Sequence, residues 1–424
     1  MPIHKNKALR ALLFSATAMG ALAVAGAALA QDAQPASGAT VGEVVVTAAK
    51  TTRSSVTLAG PETQKLLPGV SPLKAIQTLP GVVFETADPW GNNEQNESLF
   101  VHGFSTQQLG YTMDGVPLGD QQYGNYNGLS VSRALTSENV GQVTLSSGAA
   151  SLGVASTSNL GGAIETFSSD PSKEEGFDVR ETAGSYATTR TFLRLDTGDF
   201  MGDNRLYISG IHHDAKAWDF DGHQRDDQVN LKFVHDGSRG KLTLFGDWSD
   251  KVEPNEDATG FGNQTTVPSD TPYTRQFLYP NLAACTSTLA ASPANNNLPG
   301  SPPAAQGSNF SNCFSAAQRT DVLTYAKYDY KISDSITWSN QAYYHYDYGR
   351  GIVAGPINQA GLPALFQAYF PSLVVGGNPN SAASLANLST LFGGTGNEVR
   401  TTEYRDNREG LISNLDWALG DHQL

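Results

Sequence analysis

LFVHGFSTQQLGYTMDGVPL, residues 99–118, is the stretch that decides the fold. It reads as a strand, a turn and a second strand, then an Asp114-Gly115 turn into a Val-Pro-Leu exit. Leu99 and Val101, with Phe104, alternate toward one face, while Gly103 and Gly115 mark the turns. Taken alone, the pattern predicts a small mixed or antiparallel sheet.

The flanks extend it. Ser71-Pro72 opens a short helix over Leu73–Thr78, with Ala75, Ile76 and Leu79 inward. Leu79-Pro80-Gly81-Val82 stops it and turns into a strand over Val82–Thr86. Further strands follow at Glu138–Leu145 and, after Gly161-Gly162, within Asn159–Phe167. The order helix, Leu-Pro-Gly-Val, strand, Asp-Gly-Val-Pro, strand, Gly-Gly, strand resembles the plug domain of TonB-dependent outer-membrane receptors, here over residues 62–170. The run SSGAASLGVASTSNLGGAIETFSSDPS resembles a receptor subgroup typical of alphaproteobacteria. The resemblance implies a gated pore of the Gram-negative outer membrane that imports a scarce, bulky nutrient. A ferric siderophore is the first expectation, with cobalamin or a sugar as other cargoes of the family.

Two positions depart from the family pattern. His102 stands where many relatives carry Arg before Gly-Phe, and Ser147-Gly148-Ala149 replaces an Arg-Gly-Pro. In the family those arginines pair with barrel glutamates and hold the plug. The resemblance therefore implies a different plug–barrel contact here, with His102 as a neutral or pH-sensitive candidate.

The first thirty residues read as an address. His4, Lys5, Lys7 and Arg10 precede an apolar run over Ala11–Leu29, and Ala28-Leu29-Ala30 fits a cleavage site, so 1–30 is expected to be a signal peptide rather than a spanning anchor. Residues 31–61 are small and polar at first and are expected to be disordered. They carry a β-prone run at about 42–48: Glu43, Val44, Val45, Val46, Thr47 and Ala48. That run is either the first strand of the following domain or, by resemblance in sequence and position, a TonB box. A box would pair its backbone with a sheet edge of TonB, which works with an inner-membrane energising complex.

From Gly176 the texture changes to alternating segments, expected as strands at Asp178–Ala183, Thr191–Thr197, Arg205–His213, Gln228–His235, Lys241–Trp248, Asp321–Lys331, Ile336–Tyr348 and Thr401–Leu419, with a ninth starting at His422. Short and long connections alternate, which is the signature of a transmembrane β-barrel embedded in outer-membrane lipid. The expected fold is mainly β: an α+β plug followed, over 176–424, by the first eight or nine antiparallel strands of a 22-stranded type of barrel. So few strands do not enclose a plug, and an incomplete barrel is expected.

Composition narrows the function. Net charge is −14 with only 16% charged residues and no basic cluster, which speaks against nucleic acid. Cys285 and Cys313 share one polar segment; in an exported chain they read as a disulfide in preference to a metal pair. No nucleophile elbow, phosphate loop, Cys-x-x-Cys or His-Glu-x-x-His occurs, and no catalytic residue or cofactor is assigned. His212, His213 and His223 around Asp214, Asp219, Asp221, Asp226 and Asp227 read as a solvated loop before a cation site. For ligand binding, two polar-aromatic loops are expected at outward apices of the plug. They carry Trp90, Asn92 and Asn93, and Gln121, Gln122, Tyr123 and Tyr126. The protein is expected to be a monomer. The rival readings are a barrel-based adhesin without transport and a secreted glycan-acting enzyme using Asp219 with Asp221 or Glu253 with Glu256.

Overall fold

The computed structural model describes residues 55–65, 67–86, 88–95, 97–119, 128–148, 153–156, 158–216, 223–254, 316–356, 362–391, 397–419 and 422–423. The leader, the 42–48 run, the loop carrying Gln121, Gln122, Tyr123 and Tyr126, and both cysteines lie outside them.

The N-terminal domain has two small sheets. Strands β1 (Ser55–Ala59), β5 (Gly110–Met113), β6 (Val116–Pro117), β7 (Val140–Ser147) and β8 (Gly162–Ser168) form a mixed sheet in the order β1-β7-β8-β5-β6. Residues 55–61 are thus ordered rather than disordered as expected, because β1 pairs along its length with β7. Strands β2 (Val82–Thr86), β3 (Glu97–Val101) and β4 (Phe104–Ser105) form an antiparallel one. Short helices α1 (Gly60–Gln64), α2 (Pro72–Ala75) and α3 (Val131–Ala134) connect their strands. The expected helix splits into α2 and a 3₁₀ turn over Ile76–Thr78. Ser71 caps it by accepting the Leu73 N–H, and Pro72, which has no N–H to satisfy, occupies its first turn.

The deciding stretch makes two hairpins. Val101 pairs with Phe104 across His102-Gly103, and Met113 with Val116 across Asp114-Gly115. All four turn residues have φ between 50° and 89°, the mirror-image turn whose twist matches the strands it joins. Leu99, Val101, Tyr111, Met113, Val116 and Leu118 bury completely in one apolar cluster with Ile76, Leu135 and Ile164.

The second part is one antiparallel sheet of nine strands: β9 (Glu175–Gly184), β10 (Thr188–Thr197), β11 (Asn204–Lys216), β12 (His223–Gly237), β13 (Gly240–Pro254), β14 (Ala316–Ser333), β15 (Ile336–Pro356), β16 (Asn397–Leu419) and β17 (His422–Gln423). Neighbours in sequence are neighbours in the sheet, which stays open at β9 and β17 among the described residues. Each expected strand lies inside an observed one. The observed strands run further at the long-connection end, where Gln224, Arg225 and Asp226 add ladder bonds but no apolar signal. The long connection expected between β15 and β16 carries helices α4 (Leu362–Tyr369) and α5 (Ala382–Leu391).

The burial pattern of this sheet is inverted relative to a soluble one. On the outer face Ile208 is 45% exposed and Trp338 45%, whereas Asn230, Glu253 and Asp321 on the inner face are 0% exposed. The N-terminal domain sits on that inner face. Its cluster takes in Phe245, Leu323 and Tyr325 from the sheet. Polar side chains inward and apolar ones outward is the arrangement lipid selects, since hydrocarbon outside rewards apolar contact and the lumen solvates charge.

Candidate functional site

The seam between the N-terminal domain and the sheet is where charge concentrates. The segment 88–95 is built around Asp88, whose carboxylate accepts the backbone N–H groups of Trp90, Asn92 and Asn93, each at 3.0 Å, and the Thr86 hydroxyl at 2.8 Å. This fold-back places Glu94 against β13 and β14, where its own N–H donates to Glu253 Oε1 at 2.9 Å.

Helix α3 supplies the opposing charge. Ser130 caps it, and the next turn carries Arg133, 2% exposed. Its guanidinium donates to Glu94 through Nε at 2.9 Å, to Asp321 of β14 through Nη1, and to the Gly128 carbonyl through Nη2 at 3.0 Å. Around Glu94 stand Lys251 Nζ at 3.3 Å and Arg319 Nη1 at 3.3 Å. Both also bond Glu253, at 2.9 Å and 3.2 Å. Three cations and three carboxylates are therefore interleaved with almost no solvent. Burial alone would raise the Glu94 pKa, but Arg133, Lys251 and Arg319 outweigh it and hold the carboxyl well below its usual range. At nearby Glu97, burial and then the Glu94 charge outweigh Lys251 and push the carboxyl well up. Such a cluster adds little net stability over an apolar seam, but removing one member strands a buried charge at about 3–5 kcal/mol.

A second group of bonds holds the domain to β10–β13. Glu138 forms a two-point pair with Arg190, at 3.0 Å and 2.8 Å. Asn139 Nδ2 donates to Ser209 at 2.6 Å and Asn230 at 2.9 Å. Asp170 receives Lys232 at 2.8 Å and also Lys241, where the domain passes into β9. On the other flank Tyr325 donates to Asp114 at 2.7 Å and Gln341 to the Asp114 carbonyl at 3.1 Å. Beside that turn lies a cavity of about 160 Å³, lined from the domain by Asp114 and Glu165 and from the sheet by Lys327, Gln341 and Asn414. It has room for several waters.

The expected site residues fare differently. Trp90, Asn92 and Asn93 are 6%, 7% and 1% exposed, which corrects the expectation of outward-facing groups. The indole donates to Pro68 O at 2.9 Å and meets the His213 ring edge-on at 5.1 Å, and Lys251 bonds Asn92 O. His102 is also corrected. It is exposed, its N–H donates to Gly81 O at 2.8 Å, and its ring lies over Gly81 within the same domain, so the contacts to the sheet come from other residues. His212 pairs with Asp227 at 2.6 Å and His223 with Asp214 at 2.8 Å on the outer face, while His213 turns inward. The histidines thus do not converge. Among the described residues no group of three or more His, Cys, Asp or Glu is placed to hold a metal ion. Glu253, offered as half of a carboxylate pair, is engaged by Lys251 and Arg319, while Glu256, Asp219 and Asp221 lie outside the described residues.

Sequence reasoning missed Glu94, Arg133, Glu138 and their partners. A signal was present: Arg133 is the lone cation in Ser130–Leu135, and polar or charged residues recur at alternate positions in Asp226-Gln228-Asn230-Lys232, Asp247-Ser249-Lys251-Glu253 and Arg319-Asp321.

Comparison with known proteins agrees with the arrangement. Residues 48–163 match the family described as TonB-dependent Receptor Plug Domain, and this part of the chain is such a domain. No curated protein matches the chain. Among solved structures it is similar to the open form of the ferric-catecholate import receptor of E. coli K12, at 14% identity and a TM-score of 0.53. That match covers 87% of this chain and 46% of the other. It is also similar to the ferripyoverdine receptor of the outer membrane of Pseudomonas aeruginosa bound to ferripyoverdine, at 16% identity and a TM-score of 0.51, over 73% and 36% of the two chains. The chain thus spans less than half the length of these structures, and the likeness is one of fold: a plug on an antiparallel wall.

Proposed function

We propose that this chain is the plug and leading wall of a TonB-dependent receptor that takes up a ferric siderophore across the outer membrane. The observation that carries the reading is the seam itself. A plug-family domain is seated on the polar face of a sheet whose opposite face is apolar, and it is held there by buried charge pairs. A permanent stopper would be served better by an apolar seam, since buried ion pairs bring specificity of position more than stability.

In this reading residues 1–30 direct export, and outer-membrane lipid covers Ile208, Leu231, Leu244 and Trp338. Glu43–Ala48 adds as a strand to TonB, and Cys285 and Cys313 close a disulfide in an external loop. The ligand docks on outward loops, with Gln121, Gln122, Tyr123 and Tyr126 as its plug-side candidates. Docking changes the receptor only through a difference in ligand affinity between its seated and released plug states. Iron-chelate cargo is supported by the ferric-catecholate and ferripyoverdine receptors that share the fold. The adhesin reading differs at one point: it needs no strand for TonB.

The test is growth of a strain lacking its other iron receptors on ferric chelates as sole iron source, with the intact receptor and with Glu43–Ala48 deleted. Uptake lost at unchanged surface level supports the proposal. Undiminished uptake in the deletion, or no chelate that supports growth, contradicts it.

A further inference from the structure

The charge cluster also grips a neck, the point where Leu118 meets Gly128 and Leu129. Leu129 N–H donates to Leu118 O at 2.9 Å and closes the neck. Each side of this neck is held by an arginine. Arg133, from the plug, donates Nη2 to Gly128 O at 3.0 Å. Arg408, from β16 of the wall, donates Nη1 to Leu118 O at 3.1 Å.

Both arginines lead to one carboxylate. Arg133 Nη1 bonds Asp321 Oδ2 directly. The second Arg408 nitrogen meets His345 Nδ1 at 3.2 Å, and His345 Nε2 meets Asp321 Oδ1 at 2.9 Å. A guanidinium only donates, so Nδ1 must accept. The imidazole is then the neutral tautomer with its proton on Nε2, and it donates that proton to Asp321. Asp321 is 0% exposed and its two oxygens are each engaged by one arm of the path. The paths run plug to wall on one side and wall to wall on the other, so the neck cannot shift by much while both hold.

We propose that Asp321 is a coupling residue, which ties the position of the neck formed by Leu118, Gly128 and Leu129 to the ion pairs that seat the plug on the wall. The neck and the lock then open as one unit. Whatever shifts the neck draws Arg133 from Asp321 and leaves Glu94 to Lys251 and Arg319 alone, and pulling the plug from the wall disturbs the neck in return. That two-way dependence is required of any coupling between sites. The inference rests on the receptor reading for its use, though not for its test, which measures the coupling without ligand or transport.

The experiment is native-state amide hydrogen exchange on the intact receptor in detergent, comparing wild type with Asp321→Asn, which keeps shape and removes charge. The control is Arg190→Gln, which breaks the Glu138 pair on the opposite flank. Coupling predicts that Asp321→Asn speeds exchange at the Leu129 amide tenfold or more, while amides at 140–145 stay within twofold. Arg190→Gln should show the reverse pattern. Because Asp321→Asn could hinder assembly, Arg408→Gln serves as a second variant, with the same expected signature at Leu129. Exchange at Leu129 unchanged within twofold overturns the proposal. So does uniform acceleration of both regions, which would mean a general loss of stability. Failure of iron uptake with the exchange pattern intact would overturn the receptor reading and leave the coupling standing.

Discussion

Arg133 shows how one side chain can define an interface. It is fully buried, and its guanidinium donates to Glu94, Asp321 and Gly128 O together. Its fork is suited to three partners at fixed angles, which a lysine ammonium would not reproduce. Asp170 is the contrasting case at the rim, with a side chain 40% exposed. Burial would raise its pKa, yet Lys232 and Lys241 outweigh that and lower it below the ordinary carboxylate range. A depressed carboxylate contributes stability above its unfolded pKa of about 3.9 and loses it as the pH falls through the folded value. Asp170→Asn should therefore lower the denaturant midpoint of the receptor slightly at pH 7, and the two midpoints should converge in acid. Solvent screening limits the effect to about 1 kcal/mol or less. A gap that persists unchanged at low pH would show that the residue acts by something other than its charge.

Among the elements, the two hairpins of 99–118 separate intrinsic turn chemistry from docking. Gly103 and Gly115 both have φ near +88°, where an alanine costs about 1–2 kcal/mol. A Cβ at Gly103 meets nothing within 4 Å, whereas one at Gly115 comes within 3.2 Å of Gln341 Oε1 on the wall. Gly103→Ala should therefore show the turn cost alone. Gly115→Ala should lower the unfolding midpoint further, because Gln341 must move from its bond to Asp114 O. Equal midpoints would mean that the wall does not feel this turn. The turns, α2 and the strands were legible because their signals are local: Ser-Pro before a helix, Gly where φ is positive, alternation of period two. The strand ends were less so, since polar residues continue the ladder past the apolar band.

For the whole molecule, the broad plan was legible and the seam was not. Alternation of short and long connections ordered β9–β17 correctly, and the Leu-Pro-Gly-Val and Asp-Gly-Val-Pro motifs placed the plug. The lock escaped because its members are far apart, Arg133 and Asp321 by 188 positions. No local pattern says which wall residue a plug charge will meet. His102 was the natural suspect from its place in the family motif. The structure instead moves the contact to a helix and a loop that the motif does not include. Trp90 misled for a related reason: an aromatic among amides looks like a binding surface, and here the same groups fold the loop against the wall.

The central claim is that charge pairs across this seam keep a plug seated in a membrane pore. Single-channel conductance of the intact receptor in a planar lipid bilayer tests it most directly, comparing wild type with the double variant Glu94→Gln, Arg133→Gln. The wild type should stay closed, and the variant should show large, reversible openings at the same voltage. A variant that inserts as well as wild type and stays equally closed would contradict the account.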